Sequence, residues 1–325
     1  RAAKANGGIV IAVVGKVVDS FTAERLLSSH EVDYIIVDPY AEQIGGIPLN
    51  DAWSLFLPRT QSVSAADFKE AYAALRLINK VAGITSERDA SAQMVARLGA
   101  RVLQENIKEG ALVNLGVGLP EEVAGIYCDE GRSEEVLFTV EGGAMGGLPA
   151  PGVFFGASLY PQKLTSSTTT FARYREGLDA TVLGFLQIDA EGNVNVSRRG
   201  ADGSAKTAIG PGGFIDICEG AKLIIFMGSS RVRGKVEITP NGVKILPGGK
   251  PKLVPRLDEV TFSAKRALQK GKQVFYATDF GLLRLTENGL ELIEVFRGID
   301  IERDIERTQL IPIDVSRVKK RRIQI

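Results

Sequence analysis

Gly142-Gly143-Ala144-Met145-Gly146-Gly147 packs four glycines into six residues, directly after a lone carboxylate, Glu141. A β-type run, Glu135-Val136-Leu137-Phe138-Thr139-Val140, leads into it. Glycine loses more backbone entropy on folding than any other residue, so such a stretch neither holds a helix nor packs a core. It does allow φ > 0 and a close approach of main chain to a ligand. The run therefore predicts a strand that stops, with Glu141 at its C-terminal end beside bare backbone. Open α/β sheets keep their reactive groups at that edge. A tight glycine turn with a solvated glutamate fits the local pattern equally well.

The flanking chain alternates strand and helix signals. Apolar runs at Ala111–Leu115, Ala180–Ile188, Ile224–Met227 and Gln273–Thr278 read as strands. Phe68, Tyr72, Leu75 and Ile78 recur at helical spacing and predict a helix over Ala65–Ile84. Met94, Val95, Leu98, Val102 and Leu103 predict another, N-capped by Ser86 and running to about Ile107. Thr165–Thr170 reads as a loop, and Pro240-Asn241-Gly242 as a hairpin turn. Near the start, Arg1–Ala5 reads as a helix end, and Ile9–Val14 and Val32–Val37 as strands of the buried parallel type. The fold class is α/β, with open, mostly parallel sheets and flanking helices.

Charge and composition exclude several classes. Lys and Arg total 40 against 39 Asp and Glu, a net charge of +1 in 325 residues. No broad basic field is present for nucleic acid or a membrane surface. The basic C-terminus, Arg317 to Arg322, reads as a solvated tail. No apolar run approaches the ~18 residues of a membrane span. Cys128 and Cys218 are the only cysteines and His30 the only histidine, so metal-ligand spacing is lacking and a reducing cytoplasm is expected. Trp53 reads as a packing residue under a long connection.

Val113-Asn114-Leu115-Gly116-Val117-Gly118-Leu119-Pro120 is a strand, a glycine turn and a helix start, a geometry that aims backbone N–H groups at an anion. Glu121 stands where a dinucleotide fingerprint needs its third glycine. This segment, Val140–Ala150 with Phe155-Gly156-Ala157, Gly192-Asn193-Val194-Asn195-Val196-Ser197, and Gly210-Pro211-Gly212-Gly213-Phe214-Ile215-Asp216 together resemble four ordered motifs of the family I coenzyme A transferases. The single-chain acetate/propionate branch is the nearest in pattern. The resemblance spans nearly all of residues 1–305 and is weakest from 40 to 85.

The resemblance implies an architecture and a set of roles. Residues 1–60 match the tail of a first CoA-transferase domain, 61–84 a linker or helical insertion, and 85–325 a complete second domain. An N-terminal segment of the same protein is expected to accompany the chain, in a homo-oligomer of two or four subunits. Glu141 is the implied catalytic residue. The backbone N–H groups of Val117 and Gly213 are the implied oxyanion donors, and the Asn195 amide an acyl-substrate contact. Turn chemistry explains Asn195 equally well, and explains Asn193 better. Gly116, Gly118, Gly142, Gly143, Gly146 and Gly147 are the implied CoA and acyl pocket, with Ala144 beside them. Coenzyme A enters as co-substrate, with no prosthetic group and no metal. From the residues alone, Glu141 could equally be a base, as in a sugar-phosphate isomerase-like or ligand-binding protein on the same architecture, or the chain a structural subunit. The resemblance favours a nucleophile that exchanges CoA between a short-chain acyl-CoA and a carboxylic acid.

Overall fold

The computed structural model describes residues 2–20, 27–40, 51–83, 85, 88–200, 207–308 and 310–320. In chain order, helix α1 (Ala2–Ala5) leads to β1 (Ile11–Val14) and β2 (Tyr34–Val37). Helices α2 (Ala65–Ala82) and α3 (Ala90–Asn106) precede β3 (Leu112–Leu115), α4 (Glu122–Asp129) and β4 (Leu137–Thr139). Four short strands follow: β5 (Ala144–Met145), β6 (Leu148–Pro149), β7 (Ser158–Leu159) and β8 (Lys163–Leu164). Helix α5 (Ser167–Glu176) runs into β9 (Leu178–Leu183), and a hairpin of β10 (Gln187–Ile188) and β11 (Val194–Asn195) comes next. Then come α6 (Phe214–Gly220), β12 (Ala221–Met227), and an excursion of β13 (Arg231–Val232), β14 (Val236–Thr239), β15 (Gly242–Ile245) and β16 (Lys250–Pro251). The chain continues through α7 (Ala264–Gln269), β17 (Gln273–Ala277), β18 (Gly281–Thr286), β19 (Gly289–Val295) and β20 (Lys319–Lys320).

One sheet organises the chain, in the order β20-β19-β18-β17-β12-β9-β3-β4-β5-β8. Its centre, from β4 to β17, is parallel. Antiparallel strands extend it on both flanks. From β3 the chain first adds β4 on one side, then β9, β12 and β17 on the other. The order therefore reverses between β3 and β9, and connections leaving their carboxyl ends diverge to open a crevice. Successive strand residues face opposite ways. Met227 of β12 lies under Gly99 of α3, whereas Phe226 stacks on Phe214 of α6 with ring centroids 5.8 Å apart. Helices α3 and α6 thus cover opposite faces, which is why the central strands are largely apolar on both.

Several local expectations need correction. The helix expected from Ser86 starts at Ala90, because Asp89 caps it through the Ala92 N–H (2.8 Å); Ser86 itself lies outside the described residues. The Thr165–Thr170 loop is instead the start of α5. Ser166 accepts the Thr169 N–H at 3.1 Å, and Thr170 and Tyr174 bury one face, so capping and tertiary burial outweigh the weak helix propensity of threonine. Helix α2 spans nearly the stretch expected. It begins at a Ser64–Asp67 capping box and ends where Gly83 turns left-handed, φ 63°. It packs on α4: Tyr72 and Arg76 lie against Gly125. Strands β1 and β2 pair in parallel as a separate two-stranded sheet, and their apolar side chains are exposed rather than buried, Ile11 at 57% and Ile35 at 59%. The 240–242 turn does close the β14–β15 hairpin. The Trp53 side chain and the end of the basic tail, from residue 321, lie outside the described residues. Among the described residues, no helix is long and apolar enough to cross a membrane.

Candidate functional site

Glu141 sits in the turn that joins β4 to β5. The Val140 N–H donates to the Ala144 carbonyl (3.2 Å) and the Gly143 N–H to the Val140 carbonyl (3.0 Å). This closed turn holds the glutamate at the carboxyl edge of β4, next to the strand-order reversal. The side chain is half-buried. No donor among the described residues reaches its carboxylate, and burial alone raises its pKa above the ordinary 4.5. A charged group without a partner, partly stripped of water, is a costly arrangement that structure alone does not require.

The wall opposite Glu141 comes from two elements. Gly213, just before α6, has an ordinary φ of −80°. A methyl group on it would lie 2.4 Å from the Phe171 ring and 2.9 Å from Oε2 of Glu141. Glycine is thus required there by contact, not by backbone angle. Phe171 comes from α5, so the helix missed in the sequence supplies the aromatic side of the site. On the neighbouring strand, the Gly116 N–H donates to the Val182 carbonyl (2.9 Å) and ties β3 to β9. Val117 follows on an exposed loop, 73% accessible. Gly118 takes φ 92° with open space beside its Cα. Among the described residues no acceptor takes the N–H of Val117 or of Gly213.

The glycine run also admits the protein's own chain. A Cβ at Gly142 would lie 2.6 Å from the Gly156 carbonyl oxygen, and one at Gly143 1.9 Å from that of Thr165. At Gly146 it would meet the Gln162 side chain (2.6 Å), and at Gly147 the Leu159 carbonyl (2.1 Å). These glycines let the return strands β7 and β8 close down on the turn. The close approach they permit is to the protein's own chain. Asn195 is likewise engaged within the protein. Its Nδ2 donates to Gln187 Oε1 (2.7 Å) and the Arg198 carbonyl (2.8 Å), and its Oδ1 accepts the N–H groups of Ser197 and Arg198. An amide has four such bonds to make, and all four are made. Asn193 shows the turn chemistry expected of it, bonding Asp189 and capping α7 through the Ala264 N–H.

Sequence reading missed a polar layer under the site. Asn114, Thr139 and Thr181 occupy paired positions on β3, β4 and β9, all fully buried. Asn114 bonds Thr181 (3.0 Å) and Tyr174 (3.2 Å), and Tyr174 reaches Thr139 (3.2 Å). The available signal was a polar residue at the same level of three otherwise apolar runs. Elsewhere, Glu121 is buried and held by Arg88 at 3.1 Å. Among the described residues no cluster of His, Cys, Asp or Glu is placed to hold a metal ion.

No family model matches the chain. Curated relatives do. The acetate CoA-transferase YdiF of Escherichia coli K12 is 34% identical over 317 residues, 92% of this chain and 52% of that protein. The caffeate CoA-transferase of Acetobacterium woodii is 36% identical over 208 residues, 63% of this chain and 40% of that protein. Among solved structures, the apoenzyme of the acyl-CoA transferase YdiF from E. coli O157:H7 superposes with a TM-score of 0.75 at 30% identity, covering 98% of this chain and 56% of that one. The same protein is known as a thioester complex with CoA, TM-score 0.70. The chain spans about half the length of YdiF.

Proposed function

This chain belongs to the family I coenzyme A transferases, and from that premise we propose that its protein moves coenzyme A from a short-chain acyl-CoA to a carboxylic acid, with Glu141 as the nucleophile. The observation that carries the reading is the half-buried, unpartnered Glu141 carboxylate pressed against Gly213 at the carboxyl edge of the parallel sheet. Desolvation makes a carboxylate more basic and, once ionised, a better nucleophile.

The reaction divides into four balanced displacements. The Glu141 carboxylate attacks the acyl thioester carbonyl and expels CoA thiolate, leaving an acyl–glutamyl anhydride. The thiolate attacks the glutamyl carbonyl, releases the first carboxylate, and leaves a glutamyl-CoA thioester. The acceptor carboxylate attacks that thioester, expelling thiolate and forming a second anhydride. The thiolate then attacks the acceptor's acyl carbon, which frees the new acyl-CoA and the Glu141 carboxylate. One thioester replaces another, so no nucleotide hydrolysis drives the exchange. Each attack builds an oxyanion, and the N–H groups of Val117 and Gly213 are the donors assigned to it, each worth about 2.7–4 kcal/mol in sites of this kind. Gly116 and Gly118 border the open side on which CoA approaches. The thioester complex known for the E. coli relative supports the covalent step.

The apolar faces of β1 and β2 are assigned a cover by a further, N-terminal segment of the same polypeptide, in a cytoplasmic homo-oligomer. The test of the reaction is steady-state kinetics with acetyl-CoA or propionyl-CoA and a carboxylate acceptor. Parallel double-reciprocal lines, lost together with turnover in Glu141→Ala, are expected. Intersecting lines, or an active Glu141→Ala protein, contradict the proposal.

A further inference from the structure

The proposed chemistry leaves the buried polar layer under Glu141 without a role. Parallel strands covered on both faces are ordinarily apolar throughout. Here Asn114, Thr139 and Thr181 share one level of three such strands. They are linked in series. The Thr181 hydroxyl donates to Asn114 Oδ1, Asn114 Nδ2 donates to the Tyr174 oxygen, and that hydroxyl stands 3.2 Å from Thr139 Oγ1. A buried phenol O–H needs an acceptor, and Thr139 Oγ1 is the one in reach. Only Val140 separates Thr139 from Glu141.

Tyr174 holds the site a second way. Phe171 lies one turn earlier on α5, and residues three apart share a helix face. The two rings meet edge to face, centroids 5.6 Å apart. Phe171 in turn packs at the point of Gly213 where the Glu141 carboxyl arrives. One side chain thus anchors the strand that carries the glutamate and braces the wall against which its carboxyl rests.

We infer that Tyr174 is a positioning residue, which fixes the Glu141 carboxyl by binding the end of β4 through its hydroxyl and the Phe171 wall through its ring. The inference rests on the reading of Glu141 as the nucleophile. Burial, aided by the Glu141 charge, pushes the phenol pKa up to about 12, so the hydroxyl remains a donor wherever the protein is folded and active.

The test is Tyr174→Phe in the complete protein, with Thr139→Val as an independent variant that removes the same hydrogen bond from its other end. Three quantities are read: the melting temperature, the dissociation constant for CoA, and the rate at which acetyl-CoA loads CoA onto Glu141. Loading and kcat should fall together by roughly 10–100-fold, the range that ångström-scale misplacement of a reacting group costs. Affinity for CoA should stay within about twofold, since no binding contact is removed. The double variant should lose no more than Tyr174→Phe alone, because the bond that Thr139→Val removes is one of the two that Tyr174→Phe already breaks. If Tyr174→Phe does not fold, Thr139→Val decides alone. A folded variant that loads Glu141 at the parent rate overturns the inference and leaves the proposed function standing. Absence of any Glu141 adduct in the unsubstituted protein overturns both.

Discussion

Gly213→Ala adds one methyl group at the most crowded point of the site. The backbone tolerates it, since φ is −80° and ψ −2°. The cost lies in contact. The new Cβ would stand 2.4 and 2.7 Å from two Phe171 ring carbons and 2.9 Å from Oε2 of Glu141. Non-bonded carbon atoms rest at about 3.5–4.0 Å, so the ring must retreat by about 1 Å or more and the carboxyl by a smaller amount. Every obstructing atom belongs to a side chain, so the fold can absorb the change at about 1–3 kcal/mol. The chemistry cannot absorb it as easily. A displacement of about 1 Å in a reacting group costs on the order of 10²-fold, or about 2.7 kcal/mol of barrier, and the smaller shift of the carboxyl makes that the upper bound of the expected loss. The assay compares acyl-CoA:carboxylate exchange with thermal melting, at a temperature where both proteins remain folded. Gly83→Ala, at the left-handed end of α2, serves as the control: its φ of 63° strains the backbone with no atom near the new methyl. The control should lose stability and keep its turnover per folded molecule. Gly213→Ala with full turnover per folded molecule would refute the claim that the Phe171–Gly213–Glu141 contact sets the position of the nucleophile.

Glu141→Gln should abolish exchange yet melt higher than the parent at neutral pH. Burial raises the folded-state pKa, so the ionised carboxylate costs stability above that pKa, and the cost disappears as pH falls below the unfolded value near 4.5; a melting advantage that persists in acid would show that the burial cost is misassigned. Exchange by the parent should fall as pH drops through a pKa above 4.5, and an acid limb at or below the ordinary glutamate value would contradict a desolvated nucleophile. Asn195→Ala should cost about 1–3 kcal/mol through the buried groups it leaves unpaired, with acceptor preference unchanged; altered preference without lost stability would place its amide on the substrate. Residues 1–325 expressed alone should aggregate or be inactive through the exposed faces of β1 and β2, and a monodisperse, fully active product would refute the assigned cover.

The central sheet was legible because buried parallel strands need largely apolar runs, and Leu112–Leu115, Ala180–Leu183 and Ile224–Met227 supply them, with Asn114 and Thr181 as the polar exceptions. The place of Glu141 at the carboxyl end of a strand was legible because the β-type run Glu135–Val140 stops at a run of glycines. Helix α5 was not, although it braces the site. Ser-Ser-Thr-Thr-Thr has weak helix propensity, and what fixes the helix is the burial of Thr170 and Tyr174 against distant strands, which no local window contains. The structural use of the glycines was not legible for a related reason. A glycine that admits a ligand and one that admits a returning strand look the same in sequence, and here Gly142, Gly143 and Gly147 admit backbone. Asn195 illustrates the converse: its residue type suits a substrate contact, but its partners Gln187 and Arg198 satisfy it completely. The hydrogen bonds from Asn114 through Tyr174 to Thr139 cross three elements and emerge only when β3, β4 and α5 are brought together.

The central claim is that Glu141 becomes covalently attached to coenzyme A during turnover. Incubation of the complete protein with acetyl-CoA, without an acceptor acid, followed by rapid quenching, proteolysis and mass spectrometry, tests it most directly. The account predicts that the peptide containing Glu141 gains the mass of CoA less one water, that hydroxylamine converts the adduct to a hydroxamate at the same residue, and that added acceptor acid discharges it. Steady exchange of CoA with that peptide unmodified throughout would contradict the account.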